Sequence, residues 1–285
     1  MKVNRWKVPA LVLALVVVEV VLFLAAGATA NRAPTNNLKI WTGVVRTTGT
    51  STITVAFSGS VTSIETGLAA QQFSAPSGSS TIWGTDTGEG ISNGSSTTAI
   101  FPKLTPSGTG ELYFGYGAMA NTGSVGSTPG FSYATTSDDD VVAYDTKVSA
   151  AVQPTAKQSP GGVSGGLALL ITATGTSTTP PTVSAVGSLA TNSGNDTTTL
   201  AVSPRQTGDL LVLAVKTSSP SITASSVSGG GVPTWTQVEG PHTSYAAQGP
   251  GTLSNFFFFL FLFSIVALIA IGVSVLVRRQ RSRTS

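Results

Sequence analysis

Apolar residues are distributed in two different ways along the chain. Near each end they dominate one long segment, residues 8–26 and 256–277, whereas between these segments they alternate with polar residues in short runs. A helix needs about 20 consecutive apolar residues to cross the core of a bilayer. Alternation bounded by Gly, Pro, Ser and Thr is typical of β-strands. The pattern predicts two membrane-directed segments around an all-β domain.

The C-terminal apolar segment, residues 256–277, predicts a transmembrane helix. It carries no charge, and its only hydroxyl side chains are Ser264 and Ser274, which can bond to carbonyls of their own helix. It is followed at once by Arg278, Arg279, Arg281 and Arg283. Because a basic cluster marks the cytoplasmic side of a spanning helix, residues 278–285 are expected to form a cytoplasmic basic tail.

The N-terminal segment, residues 1–30, has two interpretations. It has a basic start, an apolar stretch and the small-x-small sequence Ala28-Thr29-Ala30, which predicts a signal peptide cleaved after Ala30. However, the apolar stretch is longer than a usual signal sequence, and Glu19 lies inside it. These two features favour an uncleaved signal anchor. In both cases residues 31–254 are expected outside the cytoplasm.

Between the two ends, residues 39–239 predict an antiparallel β-sandwich. Residues 51–58 alternate cleanly, and the Gly-containing loop at 47–50 predicts a hairpin with residues 40–46. The runs at 167–171 and 210–215 are apolar at every position, which predicts central strands covered on both faces. Composition assigns the remainder to a polar lead-in, a linker and a stalk, at residues 31–38, 174–182 and 240–255 respectively.

Charge and cysteine content exclude several classes of protein. The whole chain has a net charge of +3, but residues 31–255 carry 8 Lys and Arg against 11 Asp and Glu, a net charge of −3. A nucleic-acid-binding domain needs a basic surface, so no nucleic-acid partner is expected. The chain has no cysteine and one histidine, which excludes disulfides and the usual zinc sites. An extracytoplasmic chain without cysteine indicates a prokaryotic protein.

Several short motifs resemble modules repeated in secreted and surface proteins of prokaryotes. Residues 200–235 contain a G-D-hydrophobic strand followed by a Gly-rich turn before W-T (GDLLVLAV…SSVSGGGVPTWT), and they resemble the opening of such modules. Residues 40–57 (IWTGVVRTTGTSTITVAF) resemble the part that follows. Residues 110–116 (GELYFGY) and 162–171 resemble the closing strands. The resemblance implies a β-sandwich of jelly-roll type, with its opening half placed after its closing half.

This reversed order leaves three arrangements open. Residues 39–173 and 183–239 could share the core of one circularly permuted sandwich, or each could be the remnant of a tandem array. A third arrangement has the second set of strands completing the sheet of a neighbouring molecule. We favour the shared core, because half a sandwich would expose its inner face and its strand edges.

Candidate binding residues lie in the loops of this sandwich. Asp138, Asp139 and Asp140 form the densest charge in the chain, and carboxylates suit Ca²⁺, but the spacing of a calcium-binding loop is missing and we favour a solvated turn. Trp83 is the best candidate for an exposed aromatic ring that stacks on a sugar. Asn93 and Asn195 begin glycosylation sequons.

No residue pattern supports catalysis. His242 lacks a second histidine or a cysteine as partner and is expected in a solvated loop. Asp86 and Glu89 could act as a carboxylate pair on a glycoside, but they lie in a Gly- and Thr-rich stretch that reads as a loop. We therefore expect neither an enzyme nor a cofactor.

Together these expectations describe a single-pass protein of a prokaryotic cell surface, with its ectodomain outside and its C-terminus in the cytoplasm. The expected role is structural or adhesive, with the lipid bilayer and a cell-surface glycan or another surface protein as partners. The alternative is a lectin-like carbohydrate-binding module.

Overall fold

The computed structural model describes residues 36–175 and 182–244. The predicted signal or anchor segment with its cleavage site after Ala30, the C-terminal apolar segment and the basic tail lie outside the described residues. So do most of the lead-in and of the linker, and the end of the stalk. Within the described ranges, no helix is long and apolar enough to cross a bilayer.

The described chain is all-β with antiparallel sheets, as the alternation predicts. Apart from a short 3₁₀ turn at Gly78–Ser80, its regular elements are strands. In the described part of the chain these are β1 Asn36–Val44, β2 Ser51–Phe57, β3 Glu65–Ser74, β4 Ile82–Ile100, β5 Glu111–Met119, β6 Thr122–Ser124, β7 Ser132–Thr135, β8 Val141–Val148, β9 Thr155–Thr174, β10 Ser184–Asn195, β11 Thr199–Val202, β12 Leu210–Thr217, β13 Ala224–Gly229 and β14 Thr236–Ser244.

The strands form three sheets. The central sheet has the order β10-β3-β12-β1-β14, and the small sheet has the order β11-β2-β13. The large sheet has the order β4-β9-β5-β8-β7, with β6 paired to β9. The central and large sheets share one apolar cluster, and the central and small sheets share another. The central sheet is therefore covered on both faces, which is consistent with a sandwich that carries an additional outer layer.

Strand β12 explains this two-sided cover. It lies between β1 and β3, and successive side chains of a strand point to opposite faces. Leu210, Val212 and Ala214 pack towards the large sheet. The intervening residues, Leu211, Leu213 and Val215, pack towards the small sheet. An apolar residue at every position is what such a strand requires.

Strand β9 is central in the large sheet for the same reason. Leu167, Leu169 and Ile171 face the central sheet. Ala168 and Leu170 lie on the outer face in a smaller cluster, where Leu104 and the partly buried Val152 cover them. Leu104 and Val152 belong to irregular segments, which an isolated β-bridge joins. Both runs that are apolar at every position are thus central strands.

The predicted hairpin between residues 40–46 and 51–58 is wrong. β1 pairs with β12 and β14 in the central sheet, whereas β2 pairs with β11 and β13 in the small sheet. The reason is the number of faces that each strand buries. β1 contributes Ile40 to one core and Trp41 to the other, whereas β2 buries only the face that carries Ile53 and Val55.

Two segments expected to be irregular are strands. The Gly- and Thr-rich stretch around Asp86 and Glu89 belongs to the long strand β4, which pairs with β9 through several register shifts. The start of the predicted stalk at residue 240 belongs to β14, which pairs with β1 up to Ser244. Neither segment shows a clean period of two, because bulges interrupt both pairings.

The two apolar cores give a testable expectation. Leu169 lies in the cluster between the central and large sheets, and Leu211 lies in the cluster between the central and small sheets. We expect Leu169→Ala and Leu211→Ala each to lower the free energy of unfolding by about 2–5 kcal/mol, the usual cost of a cavity at a buried leucine. Denaturant melts should show one shared transition. Ile82→Ala, at a side chain that is 70% exposed, serves as the control and should change little.

A shortened chain provides the contrary outcome. Ending the chain at residue 179 removes β12, the middle strand of the central sheet, so the remainder should be insoluble or unfolded. If residues 31–179 alone formed a soluble monomer with a sharp melting transition, the two parts of the chain would be separate domains.

Candidate functional site

A lysine is buried where the central sheet faces the large sheet. Lys216 follows Leu210, Val212 and Ala214 at the same side-chain parity on β12, so the strand's alternation directs it inward. Only 5% of its side chain is exposed. Burying an ammonium is costly unless opposite charges and hydrogen bonds compensate it. Three carboxylates surround it.

Two of these carboxylates come from the turn between β7 and β8. Thr136 N–H donates to the Asp140 carbonyl at 2.8 Å, which closes the turn. The Thr136 hydroxyl donates to Asp138 Oδ1 at 2.6 Å. Between them, Asp139 has a φ of 61° and is exposed. This turn sends Asp138 and Asp140 inward and Asp139 outward.

The contacts of the lysine are short. Its Nζ lies 2.6 Å from Asp138 Oδ2, 2.7 Å from Asp140 Oδ2 and 3.2 Å from Glu65 Oε1. Asp140 is fully buried, and both of its oxygens have further partners. The Tyr116 hydroxyl donates to Oδ2 at 2.6 Å, and the Met119 N–H donates to Oδ1 at 2.7 Å. These six residues, Lys216 included, are called the lysine–carboxylate cluster below; Met119 contributes only its backbone N–H.

Glycine at position 67 makes room for the cluster. Gly67 lies directly opposite Lys216 in the pairing of β3 with β12. A Cβ at this position would lie 2.6 Å from Asp138 Oδ2 and 3.2 Å from the Tyr116 hydroxyl. Any side chain here would therefore push the carboxylate away from the ammonium.

The buried groups titrate far from their usual ranges. Burial raises the pKa of Asp140 to about 7, although the nearby ammonium acts in the opposite direction. Burial also disfavours the charged form of Asp138, but Lys216 and the Thr136 hydroxyl outweigh it and hold the pKa of Asp138 below its usual value. Burial alone would lower the pKa of Lys216, but the two aspartates raise it instead. Burial, then the charge of Asp140, raises the pKa of Tyr116.

A cavity of about 240 Å³ adjoins the cluster. Glu65, Asp138 and Lys216 line it, together with Asn36 and residues of the segment 119–122. The side chain of Glu65 is 48% exposed, whereas that of Asp138 is 9% exposed. The cavity thus gives the buried lysine and its carboxylates a route to solvent.

Asp138, Asp139 and Asp140, the calcium candidates, do not converge on one point. Within residues 36–175 and 182–244, no group of three or more His, Cys, Asp or Glu side chains is arranged to hold a metal ion. The position between Asp138 and Asp140 is taken by the ammonium of Lys216. The acidic run therefore neutralises a cation of the chain itself.

Trp83 does not have the exposed position expected of a sugar-stacking ring. It is half-buried on β4 and packs against the cluster between the central and large sheets. Its Nε1–H donates to the Gly208 carbonyl at 2.9 Å. The ring lies on a strand rather than in the loop predicted around Asp86 and Glu89, so part of its surface is covered; its role in sugar binding stays a prediction.

The two sequon asparagines differ in their accessibility. The Asn93 amide donates to the Ile100 carbonyl at 2.8 Å and to Ser164 Oγ at 3.1 Å, and the residue is half-buried. Asn195 lies exposed at the end of β10. Of the two, Asn195 has the more accessible acceptor.

The residues weighed for catalysis serve other contacts. His242 lies half-buried in β14 rather than in a loop, with Nε2 at 3.4 Å from Ser92 Oγ. Asp86 accepts a hydrogen bond from the Ser107 N–H at 2.8 Å, which lowers its pKa. Glu89 is exposed on β4.

Lys216, Tyr116 and Glu65 were not predicted as site residues. A signal for the lysine was present, because it continues the inward parity of β12 and so predicts a buried cation that needs partners. The densest acidic run of the chain was the obvious source of these partners. The sequence offered no comparable signal for Glu65, whose approach depends on the register of β3 against β12.

No protein-family model, curated protein or solved structure matches the chain significantly. The resemblance to repeated jelly-roll-type modules therefore stays an expectation.

Removing the ammonium of Lys216 should lower the stability of the domain and make it depend on pH. Lys216→Met leaves Asp138 and Asp140 buried without their counter-charge, so we expect a loss of about 3–5 kcal/mol of unfolding free energy at neutral pH. Between pH 3.8, the ordinary pKa of an aspartate, and the raised pKa of Asp140, the Asp140 carboxyl group is ionised only in the unfolded chain. The free energy of unfolding therefore falls as pH rises through this range. The variant should therefore be more stable at pH 5 than at pH 7.5 in denaturant melts.

The matched control is Lys39→Met, because Lys39 is a lysine of the same sheet that donates to the Ala224 carbonyl and forms no ion pair within the described residues. It should not acquire this pH dependence. A Lys216→Met variant equally stable at both pH values would show that the cluster does not carry the buried charge assigned to it.

Proposed function

We propose that this chain is a membrane-anchored surface protein whose β-domain acts outside the cytoplasm in a structural or adhesive role. The membrane assignment rests on the apolar segments at 8–26 and 256–277 and on the arginines that follow the second segment. The domain between them would be the part presented to the surroundings.

The observation that carries the proposal is the pairing of the two ends of the domain. β1 begins at Asn36, β14 ends at Ser244, and these residues are partners in an antiparallel ladder. The chain therefore enters and leaves the domain at adjacent points of one sheet end. This arrangement suits a domain whose two flanking segments are both directed at the same membrane.

The packing supports a structural or adhesive role rather than a function that needs the sheets to move against each other. Apolar clusters cover both faces of the central sheet, and a network of charges links the central and large sheets. A domain that transmits or resists force benefits from such long-range links, because few local openings can separate its layers.

Cysteine labelling tests the topology, since the natural chain contains no cysteine. Val125→Cys introduces a thiol at a side chain that is 53% exposed, and Ser285→Cys introduces one in the tail. On intact cells, a membrane-impermeant maleimide should label the first variant and spare the second until the cells are permeabilised. Labelling of Ser285→Cys on intact cells, or none of Val125→Cys, would contradict the proposal.

Adhesion is tested with cells that display the full chain. We expect cell–cell or cell–surface attachment above that of cells lacking the chain, without saturable binding to soluble glycans. Saturable glycan binding that Trp83→Ala abolishes would instead support the carbohydrate-binding alternative.

A further inference from the structure

The lysine–carboxylate cluster has the composition of a reactive site as well as that of an ion pair. A primary amine lies 2.7 Å from an oxygen of a fully buried carboxyl group, and a second carboxylate lies 2.6 Å from the same nitrogen. Asp138 Oδ2 is buried and, within the described residues, accepts no hydrogen bond of good geometry despite this contact. We propose that Lys216 and Asp140 join in an intramolecular amide bond that crosslinks the central and large sheets, with Asp138 as the proton carrier.

The step balances without any co-reactant. The Lys216 ammonium gives one proton to Asp138, and the free amine attacks Cγ of Asp140. The new C–N bond forms, the bond from Cγ to Oδ2 breaks, and Oδ2 leaves as water after taking protons through Asp138. The net change is an ammonium and a carboxylate converted into an amide and one water molecule. No group is oxidised or reduced.

Asp140 is the carboxyl group best prepared for attack. Its Oδ1 accepts the Met119 N–H at 2.7 Å, and this donor can stabilise the negative charge that develops on Oδ1 in the tetrahedral intermediate. The Tyr116 hydroxyl at 2.6 Å holds Oδ2 and can donate to it as it leaves. Burial also raises the pKa of Asp140 to about 7, so its carboxylate takes up a proton more readily than an exposed one, which favours attack on its carbon.

Asp138 fits the role of base rather than electrophile. The Thr136 hydroxyl donates to its Oδ1, which leaves Oδ2, 2.6 Å from Lys216 Nζ, in place to take the proton. Passing the proton from Lys216 to Asp138 converts an ion pair into two neutral groups, and a buried site penalises neutral groups far less than charges. Glu65 is farther from the nitrogen and half-exposed, and it lies beside the cavity through which the water can leave.

The crosslink would go beyond the proposed function and does not depend on it. It would join β12, which follows the linker at residues 174–182, to the β7–β8 turn, which precedes this linker. A covalent tie at this point would hold the two sheets together even when their apolar packing is disrupted.

Intact-mass measurement of the purified full chain under denaturing conditions tests the proposal. We expect a mass lower than that of the unlinked chain by about 18 Da, one water. Digestion and fragmentation should place the loss in a branched peptide that joins Lys216 to Asp140. The full unlinked mass would overturn the proposal, and a branch to Asp138 or Glu65 would overturn the assignment of Asp140.

Variants make the test specific to the chemistry. Lys216→Arg keeps the charge but lacks a nucleophilic amine, so the mass loss should disappear. Asp140→Asn should release ammonia in place of water, so the loss should fall to about 17 Da while the same branch forms. Lys39→Arg, at a lysine of the same sheet, should keep the full loss. A loss that persists in Lys216→Arg would contradict the proposal. If a variant does not fold, the peptide map of the natural chain still decides.

Discussion

Strand β12 lies in the middle of the central sheet, and its side chains alternate between two apolar clusters. This two-sided burial determines the neighbours of the strand. A position between β1 and β3, with the large sheet on one face and the small sheet on the other, covers every one of its apolar residues. The other layers follow from it. The large sheet covers one face, the small sheet covers the other, and the part of the chain that precedes residue 175 cannot complete the central sheet without the part that follows residue 182.

The same alternation explains the lysine–carboxylate cluster. A strand that sends Leu210, Val212 and Ala214 inward must also send Lys216 inward, where its charge needs compensation. The β7–β8 turn supplies Asp138 and Asp140, and Gly67 leaves the space that the carboxylate occupies. An ion pair exposed to water would contribute little to stability. In a buried pair the cost of the charges is high, so proton transfer to two neutral groups, and the covalent bond that we propose, compete with the ion pair. The cluster is thus a consequence of the fold.

The sequence predicted those features that a strand displays by itself. The all-β class and the central positions of residues 167–171 and 210–215 could both be predicted from the pattern of apolar residues. The partners of a strand could not, because they depend on which distant surfaces match. β1 and β2 were therefore assigned to one hairpin although they lie in different sheets, and a bulged strand such as β4 was mistaken for a loop. For the same reason Asp138 and Asp140 were recognised as unusual, whereas their partner Lys216 was not.

Native-state hydrogen exchange tests most directly whether the second part of the chain is integral to the core. Amides of β12 are bonded to β1 and β3 on either side. If the central sheet opens only as a unit, the amides of β12 and β3 should exchange with the same free energy, equal to that of global unfolding. Exchange of β12 through a separate opening of lower free energy, while β3 stays protected, would show that β12 is an addition to a core that stands without it.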